Sequence, residues 1–345
     1  MTESTRYAAE IVEPVEARGE TVLDCIGWTP LLELKRLARA AGVPESARIL
    51  AKAEHFNPGG SVKDRLALAL IEDAEARGLP AGGTIVEATS GNTGISLAMA
   101  AAVKGYRLQV VASTKVSQEK LRLLRALGAE VHVTPNVPHG DPRHYTAVAK
   151  RLAAEIPGAV YLDQFHSPVN ARIHEERTGP EILGQALRAA GRLDAFVCGV
   201  GTGGTFAGIA SYLRRESPDT RIVLADPEGS VLAGAPDFRP YLVEGIGDDS
   251  TPPLFDPSLV DESVTVSDRE SFRFALLAAR LEGLIVGGSS GSHLAAAAEV
   301  ARRLGPGAVV ATVLPDTGRN YLTKFFDPAW CQEHGLTDLH REVAR

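Results

Sequence analysis

The chain has 345 residues, 44% hydrophobic and 23% charged, which fits a folded globular protein of about two domains and excludes a largely disordered one. Basic minus acidic side chains leaves −7, with no basic stripe or tail of the kind nucleic-acid binding requires. The acidic leader from Met1 holds no signal-peptide core, no apolar run is long enough for a membrane span, and Cys25, Cys198 and Cys331 have neither zinc spacing nor disulfide density, so a soluble, cytoplasmic protein without a metal is expected.

The first informative segment is Asn57-Pro58-Gly59-Gly60-Ser61-Val62-Lys63-Asp64-Arg65. Ser61 and Asp64 read as a capping-box-like pair opening a helix that runs to Arg77, with Lys63 in its first turn. A cation is disfavoured there by the helix dipole, so the lysine is expected to have a lowered pKa and to suit imine chemistry. Next come a strand at Thr84–Ala88, the loop Thr89-Ser90-Gly91-Asn92-Thr93-Gly94 and a helix from Ile95 to Lys104. A strand at Arg107–Val111, a helix at Gln118–Leu127 and a strand at Glu130–Thr134 complete the series, before an irregular stretch from Pro135 to Arg143.

A second series starts with a short strand at Ala195–Cys198, followed by Gly199-Val200-Gly201-Thr202-Gly203-Gly204-Thr205 and a helix from Phe206 to Arg215. A strand at Arg221–Ala225 precedes an irregular stretch from Ala233 to Pro257. A helix at Ser271–Leu281, a strand at Leu284–Val286, the loop Gly287-Gly288-Ser289-Ser290-Gly291-Ser292, a helix at His293–Leu304 and a strand at Val309–Val313 follow. Strand–helix alternation of this kind predicts an α/β fold of two lobes, each a mostly parallel sheet covered by helices, with ligands at a cleft between them. The expected lobes are residues 48–165 and residues 13–47 plus 166–335.

Three loops, each read as joining a strand to a helix, carry the chemistry. Small hydroxyl residues and glycines at a helix entrance offer free backbone N–H groups to a carboxylate or phosphate. The second loop is ambiguous by itself. Gly199, Gly201 and Gly204 with Asp226 about twenty residues on also satisfy the dinucleotide fingerprint of a nicotinamide-dependent oxidoreductase. His55, His139, His144, His166 and His174 show no ligand spacing and read as loop or surface residues, and Glu119, Lys120 and Arg122 as a solvated helix face. Cys198 reads as a small core residue.

Taken together these motifs resemble the pyridoxal-phosphate enzymes of the tryptophan-synthase β fold (fold type II), specifically the cysteine synthase and cystathionine β-synthase family. The resemblance runs from Ile26-Gly27-Trp28-Thr29-Pro30-Leu31 to Trp330. It implies pyridoxal 5'-phosphate held covalently by Lys63, with Asn92 beside its 3′ oxygen, its phosphate at Gly201, Thr202, Gly203, Gly204 and Thr205, and its pyridine nitrogen facing Ser289. It further implies that Thr89, Ser90, Gly91, Thr93 and Gln164 bind the substrate carboxylate. Within the family, Asp226–Ser230, Glu244–Gly247, Gly287–Ser292 and Asp316–Phe325 lean towards cystathionine β-synthase cores, which accounts for Asp226 without a nicotinamide. Phe165, resembling the cysteine-synthase version, and Asp248-Asp249-Ser250 depart from the cystathionine β-synthase pattern in regions expected to meet the second substrate. Neither the regulatory domains appended to some relatives nor an N-terminal haem segment is expected.

The implied reaction is β-replacement on serine or an O-activated serine. Lys63 is displaced from the cofactor by the amino acid and takes its α-proton, the β-substituent leaves, and a nucleophile adds. Homocysteine, giving cystathionine, is the leading nucleophile. Sulfide, with O-acetylserine or O-phosphoserine as donor, and an amine are the alternatives. A neutral hydroxyl at Ser289 would not keep the pyridine nitrogen protonated, which favours elimination over transamination. The expected partners are small amino-acid substrates and a second copy of the chain, with neither nucleic acid nor membrane. A non-catalytic protein that kept the fold would not need the lysine, the asparagine, the phosphate loop and the serine together.

Overall fold

The computed structural model describes residues 19–344 apart from 90, 115 and 139. The described chain divides into two compact units, one built from residues 28–56 and 174–344, the other from residues 19–27 and 57–173. In chain order the strands are β1 (Leu31–Glu33), β2 (Arg48–Lys52), β3 (Thr84–Ala88), β4 (Arg107–Ser113), β5 (Glu130–Thr134), β6 (Val160–Tyr161), β7 (Ala195–Cys198), β8 (Arg221–Pro227), β9 (Glu262–Val266) and β10 (Val309–Val313). The helices are α1 (Lys35–Ala40), α2 (Lys63–Ala76), α3 (Asn92–Lys104), α4 (Gln118–Ala126), α5 (Tyr145–Glu155), α6 (Val169–Ile173), α7 (Gly179–Ala190), α8 (Gly204–Glu216), α9 (Asp268–Leu277), α10 (Gly288–Leu304), α11 (Pro328–Glu333) and α12 (Leu339–Glu342).

The second unit holds a four-stranded parallel sheet in the order β5-β4-β3-β6. Every residue of β3 is buried because both faces are covered. Ile85 packs with Leu66 and Leu70 of α2 and Leu97 of α3, while Val86 and Ala88 pack with Ala149 of α5. A strand buried on two sides reads as an apolar run rather than an alternation, and Glu87 is the one ionisable residue within it. Gly105, at φ 78°, ends α3 in the left-handed conformation that a side chain resists.

The first unit holds a six-stranded sheet in the order β1-β2-β10-β7-β8-β9, parallel except for β1. Alternate residues of β10 enter two cores. Val310 joins Leu294 and Ala298 of α10, whereas Val309, Ala311 and Val313 join Ile209 and Leu213 of α8. Helices α9 and α10 approach until backbone meets backbone: a Cβ on Gly291 would lie 1.8 Å from the Ser271 carbonyl oxygen. The hydroxyls of Ser271 and Ser292 share a 2.7 Å hydrogen bond beside that point.

Two expectations meet a different structure. Residues 48–52, assigned by sequence to the lobe of Lys63, form β2 and pair with β10 in the other unit's sheet. The antiparallel β1–β2 pair is local in sequence, but the partner on the other edge of β2 lies about 260 residues away, where periodicity carries no information. Leu284–Val286 is not a strand; it contributes only the isolated bridge Val286↔Thr317. Leu284 and Val286 are apolar because they fill the core beside α10, and a three-residue run signals burial before it signals a strand. Among the described residues, no helix is long and apolar enough to cross a membrane.

Candidate active site

In the unit with the four-stranded sheet, Lys63 is the first residue of α2 and is half-buried. The helix start differs from a capping box. Ser61 Oγ accepts from the Lys63 backbone N–H at 3.3 Å, but the Asp64 carboxylate reaches back to the Gly59 N–H at 2.5 Å instead of to Ser61. The other Asp64 oxygen accepts from the Ser96 hydroxyl of α3 at 2.5 Å. Gly59 has no room for a side chain, since its Cβ would stand 2.4 Å from that carboxylate. The segment before Lys63 is therefore folded tightly onto Asp64, and Asp64 fastens the first turn of α2 to the second turn of α3.

Asn92 is the first residue of α3, and Gly91 is its N-cap, with open space where a Cβ would be. Thr89 Oγ1 accepts from the Gly91 N–H at 3.2 Å. Thr93 donates to Gln164 Oε1 at 2.7 Å, Gln164 Nε2 donates to the Ala88 carbonyl at 3.1 Å, and Asn170 donates to the Gln164 carbonyl at 2.9 Å. The structure thus joins Thr93 and Gln164, which lie 71 residues apart. Ser90 lies outside the described residues.

Glu87 lies directly below this loop. It is fully buried, and among the described residues neither of its oxygens has a close hydrogen-bond partner. Burial first, and then the neighbouring Asp163 charge, pushes its carboxyl up to about 8, although the backbone N–H groups near Gln164, Ala88 and Asp163 oppose the shift. A charge inside an otherwise apolar strand was the available sequence signal.

In the unit with the six-stranded sheet, Gly201, Thr202 and Gly203 form the bend that leads into α8 at Gly204 and Thr205. A Cβ on Gly201 would stand 2.3 Å from the Gly245 carbonyl oxygen; one on Gly203, at φ 92°, would stand 2.7 Å from the Phe255 nitrogen. Only glycine lets the chain pass here. Ser289 is the second residue of α10 and is buried. The loop before it does not leave a strand, and its serines do not act together: Ser292 bonds Ser271, and among the described residues the buried Ser290 hydroxyl has no hydrogen-bond partner.

Two histidines matter here that the sequence reading did not place at the site. His174, read as a loop or surface residue, is fully buried in a π-helical turn over His174–Thr178. Its Nδ1 meets the Thr178 hydroxyl at 2.9 Å and its Nε2 meets the Thr205 hydroxyl at 3.1 Å. His293, one turn beyond Ser289, bridges Gly199 and Val313. His144 and Lys120, also read as exposed, are buried. No sequence spacing flags such residues, because their partners come from other elements. Among the described residues no cluster of His, Cys, Asp or Glu fits a metal ion.

Each unit taken by itself carries donors that fit a part of pyridoxal phosphate or of an amino-acid substrate. Helices α3, α8 and α10 have no acidic residue in their first turns, so their free N–H groups and positive dipole ends are left for anions. The glycine bend is too close-packed for side chains yet offers backbone amides, as a phosphate requires. A dinucleotide reading fails on two counts. Asp226 is buried and accepts from the Ala233 N–H at 2.9 Å, and the strand order is not that of a doubly wound dinucleotide fold.

Comparison with known proteins agrees. The family profile described as "Pyridoxal-phosphate dependent enzyme" matches residues 22–316. The chain is 44% identical over 331 residues to cystathionine β-synthase of Mus musculus, covering 94% of this chain and 58% of that one. It is 42% identical over 352 residues to cysteine synthase 1 of Emericella nidulans, covering 97% and 93%. Thus the chain spans less than two thirds of the length of the mammalian relative, but nearly all of the fungal one. Among solved structures, O-ureido-L-serine synthase superposes with a TM-score of 0.82 at 36% identity, covering 91% of this chain and 99% of that chain. The O-acetylserine-dependent cystathionine β-synthase of Helicobacter pylori gives a TM-score of 0.81 at 39% identity, covering 89% and 98%. The fold is that of the fold type II enzymes, and the chain belongs to the family of pyridoxal-phosphate-dependent enzymes.

Proposed function

We propose that the protein catalyses β-replacement on serine or an O-activated serine, with a thiol as the incoming group. The observation that carries this reading is the 2.5 Å Asp64–Ser96 bond, which holds the helix start bearing Lys63 against the helix start bearing Asn92 and Thr93. One amine and one carboxylate-binding loop are thereby kept in fixed register, the arrangement that removal of a substrate α-proton needs.

In this reading, Lys63 carries the cofactor and moves the proton at the substrate Cα. The N–H groups at the start of α3, with Thr89, Ser90, Gly91 and Thr93, bind the substrate carboxylate, and Gln164 holds Thr93 in place. Asn92 contacts the cofactor's 3′ oxygen, Gly201, Thr202, Gly203, Gly204 and Thr205 hold its phosphate, and Ser289 offers a neutral hydroxyl to its ring nitrogen. From pyridoxal phosphate, when bound, comes an electron sink for the carbanion at Cα. A buried hydroxyl with no acid in its helix turn limits that sink, which favours loss of the β-substituent over protonation elsewhere.

Homocysteine is the leading nucleophile, on the strength of the cystathionine β-synthase relatives. The Helicobacter pylori neighbour, described as O-acetylserine dependent, supports an O-activated donor. Coverage of 93% of the Emericella nidulans cysteine synthase favours sulfide as the second reading. The protein is further proposed to work in the cytoplasm as a homodimer. A product screen crossing serine, O-acetylserine and O-phosphoserine with homocysteine, sulfide and hydroxyurea decides the assignment. Cystathionine is expected from homocysteine; cysteine as the sole product moves the assignment to cysteine synthase, and no product from any pair by the cofactor-loaded protein overturns β-replacement.

A further inference from the structure

His293 is buried and has one hydrogen-bonded arrangement. Its Nε2 accepts from the Gly199 N–H at 2.7 Å, and its Nδ1 faces the Val313 carbonyl at 2.8 Å. A backbone N–H only donates and a carbonyl only accepts, so the proton sits on Nδ1. Burial lowers the imidazole to about 4, outweighing the bond to Val313, so this tautomer persists at neutral pH. Gly199 is shaped to receive it, since a Cβ there would lie 2.8 Å from Nε2.

The placement gives the contact its meaning. Gly199 opens the glycine bend ahead of Gly201–Thr205, Val313 ends β10, and His293 lies four residues after Ser289 on the same helix face. One ring therefore ties the bend, the sheet and the serine-bearing helix together. We propose that His293 is a positioning residue that sets the distance between the Gly201–Thr205 amides and the Ser289 hydroxyl, and so the two ends of the cofactor site in this unit. The proposal rests on the reading that the bend holds the phosphate.

The imidazole's two bonds are separable by substitution. In His293→Gln the amide oxygen reaches the place of Nε2 and keeps the acceptor for Gly199, whereas His293→Asn keeps a donor near the place of Nδ1 and loses that acceptor. Without it, the Gly199 N–H turns to water in the unloaded protein and must be drawn back when the phosphate binds. The full-length protein is stripped of cofactor and titrated with pyridoxal phosphate, and the loaded forms are compared by 31P NMR. His293→Asn is expected to weaken binding about tenfold, a loss of about 1.4 kcal/mol, and to shift the phosphate resonance, while His293→Gln stays within about threefold of the wild type with its resonance unmoved. A lowered melting temperature in His293→Asn with unchanged affinity and resonance overturns the proposal, because it marks a structural role alone. Gly201→Ala is the control: if it too leaves affinity and resonance unchanged, the phosphate reading has failed; if it weakens binding while His293→Asn does not, only the histidine proposal has failed.

Discussion

The two units fasten their helix starts in opposite electrostatic styles. In the four-stranded unit the clasp is a carboxylate: Asp64 gathers the Gly59 N–H and the Ser96 hydroxyl beside Lys63. In the six-stranded unit the clasps are imidazoles, with His174 on Thr205 and His293 on Gly199. A lysine at a helix N-terminus faces an unfavourable dipole, and an adjacent aspartate offsets it. A phosphate dianion at such an end needs the dipole undiminished, and a carboxylate clasp would repel it. The half that supplies a cation carries an acid; the half proposed to meet a dianion has no acidic residue in the first turns of α8 and α10, and burial holds its His293 imidazole down to about 4.

The sharpest way to break this contrast is to remove the cation. Lys63→Ala is expected to abolish the visible or near-ultraviolet absorbance of covalently held cofactor and to lower turnover at least about a thousandfold; unchanged absorbance and rate would take Lys63 out of its role. Next in size is a charge placed in the neutral half. Ser289→Asp is expected to cut β-replacement about a hundredfold while cofactor affinity, measured by titration, falls far less; equal losses would discredit the tuning of the ring nitrogen. Gly201→Ala comes third. Its methyl group would press on the Gly245 carbonyl at 2.3 Å, and an overpacking cost of about 2 kcal/mol is expected to appear as weakened cofactor binding.

The last prediction concerns stability rather than catalysis or cofactor binding, and the buried acid Glu87. Glu87 is held up to about 8, above its unfolded value of 4.5, so the folded chain retains a proton that the unfolded chain releases. Its contribution to stability is complete below the unfolded value and is lost as pH rises to the folded one, levelling off beyond it. Urea unfolding between pH 5 and 8 should therefore show a slope that Glu87→Gln reduces by about 1.4 kcal/mol per pH unit. Parallel slopes for the two proteins would mean that Glu87 is ionised in the fold.

Much of this was legible in sequence, for identifiable reasons. β3, β5, β7 and β10 begin and end where the β-branched runs do, and glycine marks the exit of α3. The glycine bend and the segment around Lys63 stood out because their chemistry is local. β2 did not, since its partner β10 lies far along the chain, and neither did the Asp64–Ser96 or Thr93–Gln164 bonds, which need two elements packed before they exist. His174 and His293 were invisible for the same reason: one imidazole has no period, and its importance comes from what folding brings to either side of it.

The close passage of α9 and α10 at Gly291 bears on how this protein can vary. With 1.8 Å available, alanine there would force two backbones apart, and Ser289 would move with them. The serine's depth is thus gauged by the absence of a side chain as well as by the Ser271–Ser292 bond, so mutational tolerance should drop abruptly at position 291 even though glycine has no side chain to offer a ligand.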